Sequence, residues 1–594
     1  MKRNRYIGFA MMAASMLAAT SCTDYNDYNE TPVDESTAGS QMSQTLWENI
    51  LQNPQLTNFA ELIKKTGFET ELSTPRSLTV WAPVNGSFSM ADYENLSKED
   101  LLTKFVKGHV AKYSHVATGE VNERVHMLSE KSFLFEGNGT YTFDGLALDG
   151  THINMPSSNG LMHLMKGVAP FRPNLYEYLK ENEGIGIDSL RNQFMRYEET
   201  YFDENASVKG PMVDGVQTYV DSVVITYNSL INDIGARIQN EDSSYTFIMP
   251  TDEAFMKLYN RVEPYYNLLS AMKVQDVEKF TSASGTNTKN ADAFNVSYMT
   301  DSLVRRVITR NLVYSNTNLY NRWLVDDNVF NDTVRSTTGN KFSNPDDIVN
   351  RYMVGAPIEL SNGYARIVDS LAFYPWETYN PERTYSPRNN LAALFPAAAM
   401  STSQSVPDSL LPRIFGEEAE GMSNYRYAWI SPGGDRTKPD FFISLPNVLS
   451  TTYNFYVVFL PTALPALGGE TRPNLLNFQL NYTDAKNNIV TYNFSKPYAD
   501  ALLSGGALPD VPTAVNMSTA FANDPEKADT VFIGRFTFPV SYASLGNEYY
   551  PTLKVSSPIS VFDNTQLATY SRDVRIGAIL LRPQELDEFE AKNK

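Results

Sequence analysis

A chain of 594 residues is too long for a single hydrophobic core and has room for roughly three or four domains. Its formal net charge of −19 repels nucleic acid, and no basic patch offsets that charge. Aromatic residues make up 12%, with Tyr the most numerous at 35, a composition suited to contacts with sugars or proteins. Cys22 is the only cysteine, so no intrachain disulfide can form.

Lys2, Arg3 and Arg5 precede an uncharged, mostly apolar run from Ile7 to Ala19. The run has the length of a signal-peptide core and is short for a membrane span. Small residues Ala19, Thr20 and Ser21 then lead into Cys22. This pattern resembles the lipobox of bacterial lipoproteins, with Ala19 standing where leucine is commoner. The resemblance implies a signal peptide over residues 1–21 and acylation of Cys22 after cleavage. Several acyl chains, at about 0.8 kcal/mol per buried CH₂, make a durable anchor. Thr23 to Ser40 is acidic and polar with almost no aliphatic residues, so it cannot bury a core. Residues 22–41 are expected to form a flexible tether. An acidic stretch directly after the cysteine also resembles the signal that sends some Gram-negative lipoproteins to the outer face of the outer membrane; a plain linker is the other reading. No later stretch is apolar for long enough to span a bilayer.

Residues 42–172 and 173–380 share one plan. In the first, Leu56, Phe59, Leu62 and Ile63 fall on one face of a helix that Gly67 can end. A strand and turn follow from Leu78 to Phe88, a helical segment from Leu101 to Val110, and a closing strand within Ser157 to Phe171. The second copy is looser, with a helix around Ile187 to Tyr197 and then a long insertion. Tyr245 to Phe255 repeats the strand and turn, Leu303 to Tyr314 the helix, and Leu360 to Pro375 the closing strand. These segments resemble the fasciclin (FAS1) domain, whose landmarks are a TVFAPTNEAF-like segment, a helix ending in His, and a late NGVVHVID-like strand. His109 matches the helix histidine, and Asn159, Gly160 and His163 match the late strand. In the second copy Asn362 and Gly363 remain, while Asn311 and Arg366 replace the histidines.

The residue types at these landmarks point to structural roles. Proline after an apolar strand ends a sheet ladder. Asn85 and Asp252 are placed to begin or cap the next helix, with Phe88 and Phe255 on its buried face. Asn-Gly supplies a tight turn. His109 and His163 are expected to be buried and hydrogen-bonded rather than catalytic or metal-binding.

Residues 381–421, rich in Pro, Ser and Ala, are expected to be a linker. Beyond them, residues 422–594 hold many short aromatic and β-branched runs separated by Gly, Pro, Asn and Asp. That texture argues for an antiparallel β-sandwich and resembles the jelly-roll modules of extracellular proteins. The expected fold class is α+β: two fasciclin-like α/β modules followed by an all-β antiparallel sandwich. Tyr425, Tyr427 and Trp429 share one side of a strand by the two-residue period. Exposed, they would be a glycan-binding platform; buried, they are core, which is where most aromatics go.

All five histidines, His109, His115, His126, His152 and His163, lie in the first module without metal-ligand spacing. No phosphate-binding loop, dinucleotide fingerprint or nucleophile elbow is present. Asp326, Asp327 and Asp332 lack the EF-hand pattern and are expected to be a solvated loop. No catalytic residue, metal or cofactor is expected, and the chain is not expected to be an enzyme. Asp followed by Ser or Thr and an aliphatic residue recurs at Ser189, Ser222, Ser302, Thr333, Ser370, Ser409 and Thr530. That tripeptide resembles an O-glycosylation signal of exported bacterial proteins.

The likeness to exported lipoproteins implies a binding or accessory subunit of an outer-membrane glycan uptake complex, lipid-anchored and exposed at the cell surface. Its partners would be an integral outer-membrane importer, other surface lipoproteins or polysaccharide, and not nucleic acid. The fasciclin resemblance implies the alternative, an adhesin contacting matrix or cells. An enzyme hidden in the sandwich is the third reading.

Overall fold

The computed structural model describes residues 43–593 except 214, 327–328, 330–331, 397–399, 462, 464–468 and 470. The expected signal peptide, Cys22 and the tether therefore lie outside the described residues. The chain divides into two compact units: residues up to 181 with 238–244 and 359–364, and residues 182–237, 245–358 and 365–594.

In the first unit, helix α1 (Leu46–Gln52) opens on a capping box. The Thr45 hydroxyl accepts from the Glu48 N–H, and the Glu48 carboxylate accepts from the Thr45 N–H at 2.8 Å. Helix α2 (Thr57–Thr66) buries Phe59, Leu62 and Ile63 and stops at Gly67, whose φ of 76° suits the left-handed C-cap. Eight strands follow: β1 (Leu78–Pro83), β2 (Val110–Lys112), β3 (Glu120–His126), β4 (Ser132–Asn138), β5 (Thr140–Phe143), β6 (Leu146–Ala147), β7 (Met155–Ser157) and β8 (Gly160–Met165). They form a sheet of order β2-β1-β8-β7, in which β1 and β8 run parallel, and an antiparallel meander β3-β4-β5-β6.

β1 is buried along its whole length because it lies between two cores. Leu78, Val80 and Ala82 enter a core with Phe59, Leu62 and Ile63; Trp81 enters another with Phe135 and Phe143. A strand covered on both faces reads as a continuous apolar run, as LTVWAP does. Gly160 permits the β1–β8 approach, since a Cβ there would sit 2.0 Å from the Leu78 carbonyl oxygen.

The turn between β3 and β4 carries Lys131, whose side chain is 3% exposed. Its ammonium lies 2.5 Å from Glu177 on helix α3 (Leu175–Glu181) and 2.8 Å from Glu241. The Ser361 hydroxyl donates to the same Glu241 carboxylate at 2.9 Å.

The second copy contains helix α4 (Asp188–Met195), strands β9 (Glu198–Val213), β10 (Val216–Asn228) and β11 (Tyr245–Pro250), and helix α5 (Asp252–Val262). After them come β12 (Lys273–Gln275), β13 (Thr288–Asn290), helix α6 (Val296–Thr309), β14 (Val313–Ser315), β15 (Val334–Arg335), β16 (Lys341–Phe342), β17 (Ile358–Leu360) and β18 (Gly363–Val368). Its sheet, β14-β11-β18-β17, repeats the order β2-β1-β8-β7 role for role.

The remaining strands are β19 (Arg383–Tyr385), β20 (Leu391–Phe395), β21 (Met400–Ser405), β22 (Arg426–Ile430), β23 (Asp440–Ser444), β24 (Thr452–Phe459), β25 (Leu475–Thr483), β26 (Ile489–Asn493), β27 (Phe521–Ala522), β28 (Asp529–Thr537), β29 (Thr552–Ser556) and β30 (Val574–Pro583). One antiparallel sheet has the order β21-β22-β30-β24-β28 with β19 on β30; the other has β20-β23-β29-β25-β26 with β27 on β25. Phe455, Val457 and Ile579 of the first share a core with Phe441, Phe478 and Leu553 of the second.

Two expectations are corrected here. Residues 381–421 are not a linker, for β19, β20 and β21 pair with β30, β23 and β22. Their prolines, Pro381, Pro387, Pro396, Pro407 and Pro412, all fall outside the strands, where a missing N–H costs no ladder bond, so punctuation between short strands looks like a connector. Nor does the packing change at residue 380. The β12–β13 hairpin buries Met272, Val274 and Ala291 in the core of the two sheets. The Lys273 N–H donates to Asn487 at 2.8 Å, and the Thr552 hydroxyl donates to Gln275 at 2.6 Å.

Candidate functional site

His109 and His163 are fully buried. The His109 Nδ1–H donates to the Phe105 carbonyl at 2.8 Å, and Nε2 accepts from the Ala169 N–H at 3.3 Å. The His163 Nε2–H donates to the His115 carbonyl at 2.9 Å, and Nδ1 accepts from the Asn154 N–H at 3.3 Å. His163 also stacks on Trp81 at 5.6 Å between ring centroids. Burial pushes both imidazoles down to about 4, the backbone hydrogen bonds opposing this weakly. A neutral ring with both nitrogens committed is a cross-tie between segments, with no nitrogen left for a substrate or metal. In the second copy the replacements are cross-ties too. Asn311 donates to the Val307 carbonyl at 2.8 Å, and the Arg366 guanidinium holds the Leu324 carbonyl at 3.1 Å and the Asn350 side chain.

Asn159 does more than make a turn. Its Oδ1 accepts from the Leu46 N–H at 2.8 Å while Nδ2 donates to the Leu72 and Thr74 carbonyls at 2.9 and 2.7 Å. Asn362 repeats the latch, accepting from Leu175 at 2.9 Å and donating to Ile238 and Asn240 at 2.8 and 2.9 Å. Replacing Asn159 with Ala orphans three backbone groups and is expected to cost about 2–4 kcal/mol, read from the urea midpoint. Asn362→Ala is expected to behave alike.

Asp252 begins α5 as expected, whereas Asn85 begins no helix, and both side chains reach back to the preceding helix. Asn85 accepts from the Asn58 N–H at 3.0 Å in the first turn of α2, and Asp252 accepts from the Ser189 N–H at 2.5 Å in the first turn of α4. Thr251 caps α5 instead.

Three histidines pair with surface carboxylates: His115 with Glu123 at 2.9 Å, His126 with Glu130 at 3.1 Å and His152 with Asp149 at 2.9 Å. Among the described residues no group of three His, Cys, Asp or Glu is arranged to hold a metal ion. Asp326 and Asp332 are exposed, and Asp327 lies outside the described residues.

The proposed platform of Tyr425, Tyr427 and Trp429 is also corrected. The three do share a side, but that side is covered. Tyr427 is 2% exposed, and all three pack against a satellite core of Val406, Leu411 and Ile414. The Tyr425 ring lies over Gly577, where a Cβ would come within 2.3 Å of its hydroxyl. Trp429 donates to Asp573 at 3.2 Å and carries the Arg575 guanidinium 4.8 Å from its ring centroid. Of the tripeptide hydroxyls, Ser409 and Thr530 are exposed, Thr333 is buried, and Ser189, Ser302 and Ser370 are half-buried. The Ser222 side chain lies outside the described residues.

The long insertion foreseen after the helix of the second copy folds as a two-stranded arm, which the sequence reading did not anticipate. β9 and β10, of 16 and 13 residues, pair with each other and, among the described residues, with no other strand. Phe202 pairs across to Val224, and Tyr201 to Ile225, on opposite faces. Tyr201, Phe202, Val224 and Tyr227 are each 44–59% exposed, and near the tip Met212 and Val216 are 67% exposed. An arm with apolar side chains open on both faces gains little from its own fold. The alternation of Val, Thr and Tyr from Val216 to Tyr227 was the available signal.

Residues 54–169 match the fasciclin domain family. This segment is a fasciclin domain. It holds α2, β1 to β8, His109, His163 and Asn159. Among solved structures, the chain is similar to the FAS1 domain pair of the insect cell adhesion molecule fasciclin I, at 10% identity over 56% of this chain and 97% of that one, with a TM-score of 0.20. Similarity also extends to the CBM22-1–GH10 modules of a Clostridium thermocellum endo-1,4-beta-D-xylanase complexed with xylohexaose, at 7% identity over 34% of this chain and 28% of that one, TM-score 0.18. A third is Paenibacillus xanthan lyase, at 10% identity over 42% of this chain and 20% of that one, TM-score 0.18. No curated protein matches the chain. No described helix is long and apolar enough to cross a membrane.

Proposed function

We propose that this chain is a non-catalytic surface lipoprotein that works by protein contact, as a binding or accessory subunit of an outer-membrane glycan uptake complex. On this reading Cys22 carries the lipid, residues 173–380 are a second fasciclin domain with insertions, and the two antiparallel sheets form a jelly-roll-like sandwich. The supporting observation is the β9–β10 arm, whose exposed aromatic and aliphatic side chains suit a protein interface. The fasciclin domain itself favours a second reading, an adhesin contacting matrix or other cells.

One experiment on intact cells tests both the placement and the contact. Cys22→Ala is expected to abolish labelled fatty-acid incorporation and membrane partitioning. Added protease is expected to remove the folded modules from the anchored protein. Gentle detergent extraction is expected to co-purify an integral outer-membrane protein with the native chain, and not with a chain whose residues 200–226 are replaced by a short turn. Protection from protease until the outer membrane is opened would place the protein inside and sink the surface reading. Equal co-purification without the arm would remove the arm from the contact.

A further inference from the structure

The two halves of the arm differ in how they guard their outer edges. Open strand edges recruit other strands unless charge, proline or bulges protect them. The distal half has all three: Lys209 and Pro211 on β9, and register shifts between Gln217 and Val223 on β10. The proximal part of β10 has none. From Val223 to Asn228 it keeps an unbroken register with β9, and Val224, Ile225, Thr226, Tyr227 and Asn228 carry no charge. Asn228 is buried and tied to Phe194, so the open stretch is Val224–Tyr227, a regular, β-prone edge on a strand that pairs with no strand other than β9 among the described residues.

We infer that the Val224–Tyr227 edge of β10 pairs antiparallel with the same edge of a second copy of this chain, closing a four-stranded sheet across a two-fold axis. The edge is self-complementary. Centred on Thr226, the register sets Ile225 opposite Tyr227 of the other copy twice, a favourable β-branched–aromatic pair. Charge selects this edge over the other. β9 carries Glu198, Glu199, Asp203 and Glu204, so pairing through β9 would bring carboxylates together. Pairing through β10 leaves the two β9 strands outermost, about 14 Å apart at 4.7–4.9 Å per strand, beyond the screening length of about 8 Å at physiological salt. The inference rests on the arm being a contact element, as proposed above, and is independent of any partner of another kind.

The test uses the chain from residue 22 onward with Cys22→Ser, so that no disulfide links two copies, in sedimentation equilibrium. The native chain is expected to dimerise in a concentration-dependent way. Thr226 is exposed, so Thr226→Lys leaves the fold unchanged while setting two ammonium groups face to face. It is expected to weaken the dimer at least about tenfold, and Thr226→Glu the same. Mixing the Lys and Glu variants is expected to restore association as a heterodimer. Circular dichroism and melting temperature confirm folding of each variant. A native chain that stays monomeric at high concentration, or variants that dimerise as the native chain does, would overturn the inference. A monomer that still co-purifies its outer-membrane partner through the arm would overturn this pairing alone and leave the proposed function standing.

Discussion

Acidification from pH 6.5 to 4 is expected to strip about 3 kcal/mol of stability from the fasciclin domain for each of His109 and His163, at about 1.4 kcal/mol per unit. An unfolded imidazole takes up a proton near 6.5, whereas burial holds each folded ring neutral down to about 4. Within that window the unfolded chain binds more protons, so stability rises with pH. The contribution is complete above 6.5 and gone once the pH falls below 4. Urea midpoints of the full chain measured at half-unit steps should show this slope in the transition that unfolds the fasciclin domain. The double variant His109→Gln, His163→Gln should be less stable at pH 7 and show a shallower slope. A native slope no steeper than that of the variant would contradict the buried neutral assignment.

The other large effect belongs to Lys131. Its ammonium is enclosed with two carboxylates, and the Glu241 side chain is only 6% exposed. Lys131→Met keeps the aliphatic stem and removes the charge, stranding Glu241. Breaking a buried pair from one side costs about 3–5 kcal/mol, and that loss is expected in urea unfolding. Adding Glu241→Gln should recover much of it, because the remaining amide needs no counter-ion. A double-mutant cycle showing no coupling between the two positions would contradict the assignment.

The fasciclin landmarks were legible because each depends on local chemistry. An apolar run covered on both faces, a Gly that allows close approach, and Asn or His suited to buried cross-ties leave a readable pattern around Trp81, Gly160 and His163. Their partners were not legible. Asn159 ties residues 72, 74 and 46, and Asn85 caps the helix before it rather than the one after; both bonds depend on how distant segments meet. The linker was misread for a related reason. Strands as short as Arg383–Tyr385 carry too few residues to show an alternation, and only their partners on β30 make them strands. The platform of Tyr425, Tyr427 and Trp429 had the right side but the wrong environment. What covers it, the segment around Leu411 and Ile414, came from the stretch already set aside as linker.

β30 pairs with β19, β22 and β24 in the middle of its sheet, yet it follows all of them in the chain. A sheet whose central strand is made last cannot close piecemeal as the polypeptide emerges. Val457, Ile430 and Tyr385 must wait for Ile576, Ile579 and Leu581, and so must Met272 and Val274 of the earlier hairpin. Contacts so far apart in sequence form slowly and leave apolar strands uncovered meanwhile. Were the chain exported as proposed above, this part of it would stay unfolded through a long interval, which favours threading through a narrow pore. On that proposed route, a chaperone that shields the uncovered strands until β30 arrives would raise the yield of folded protein.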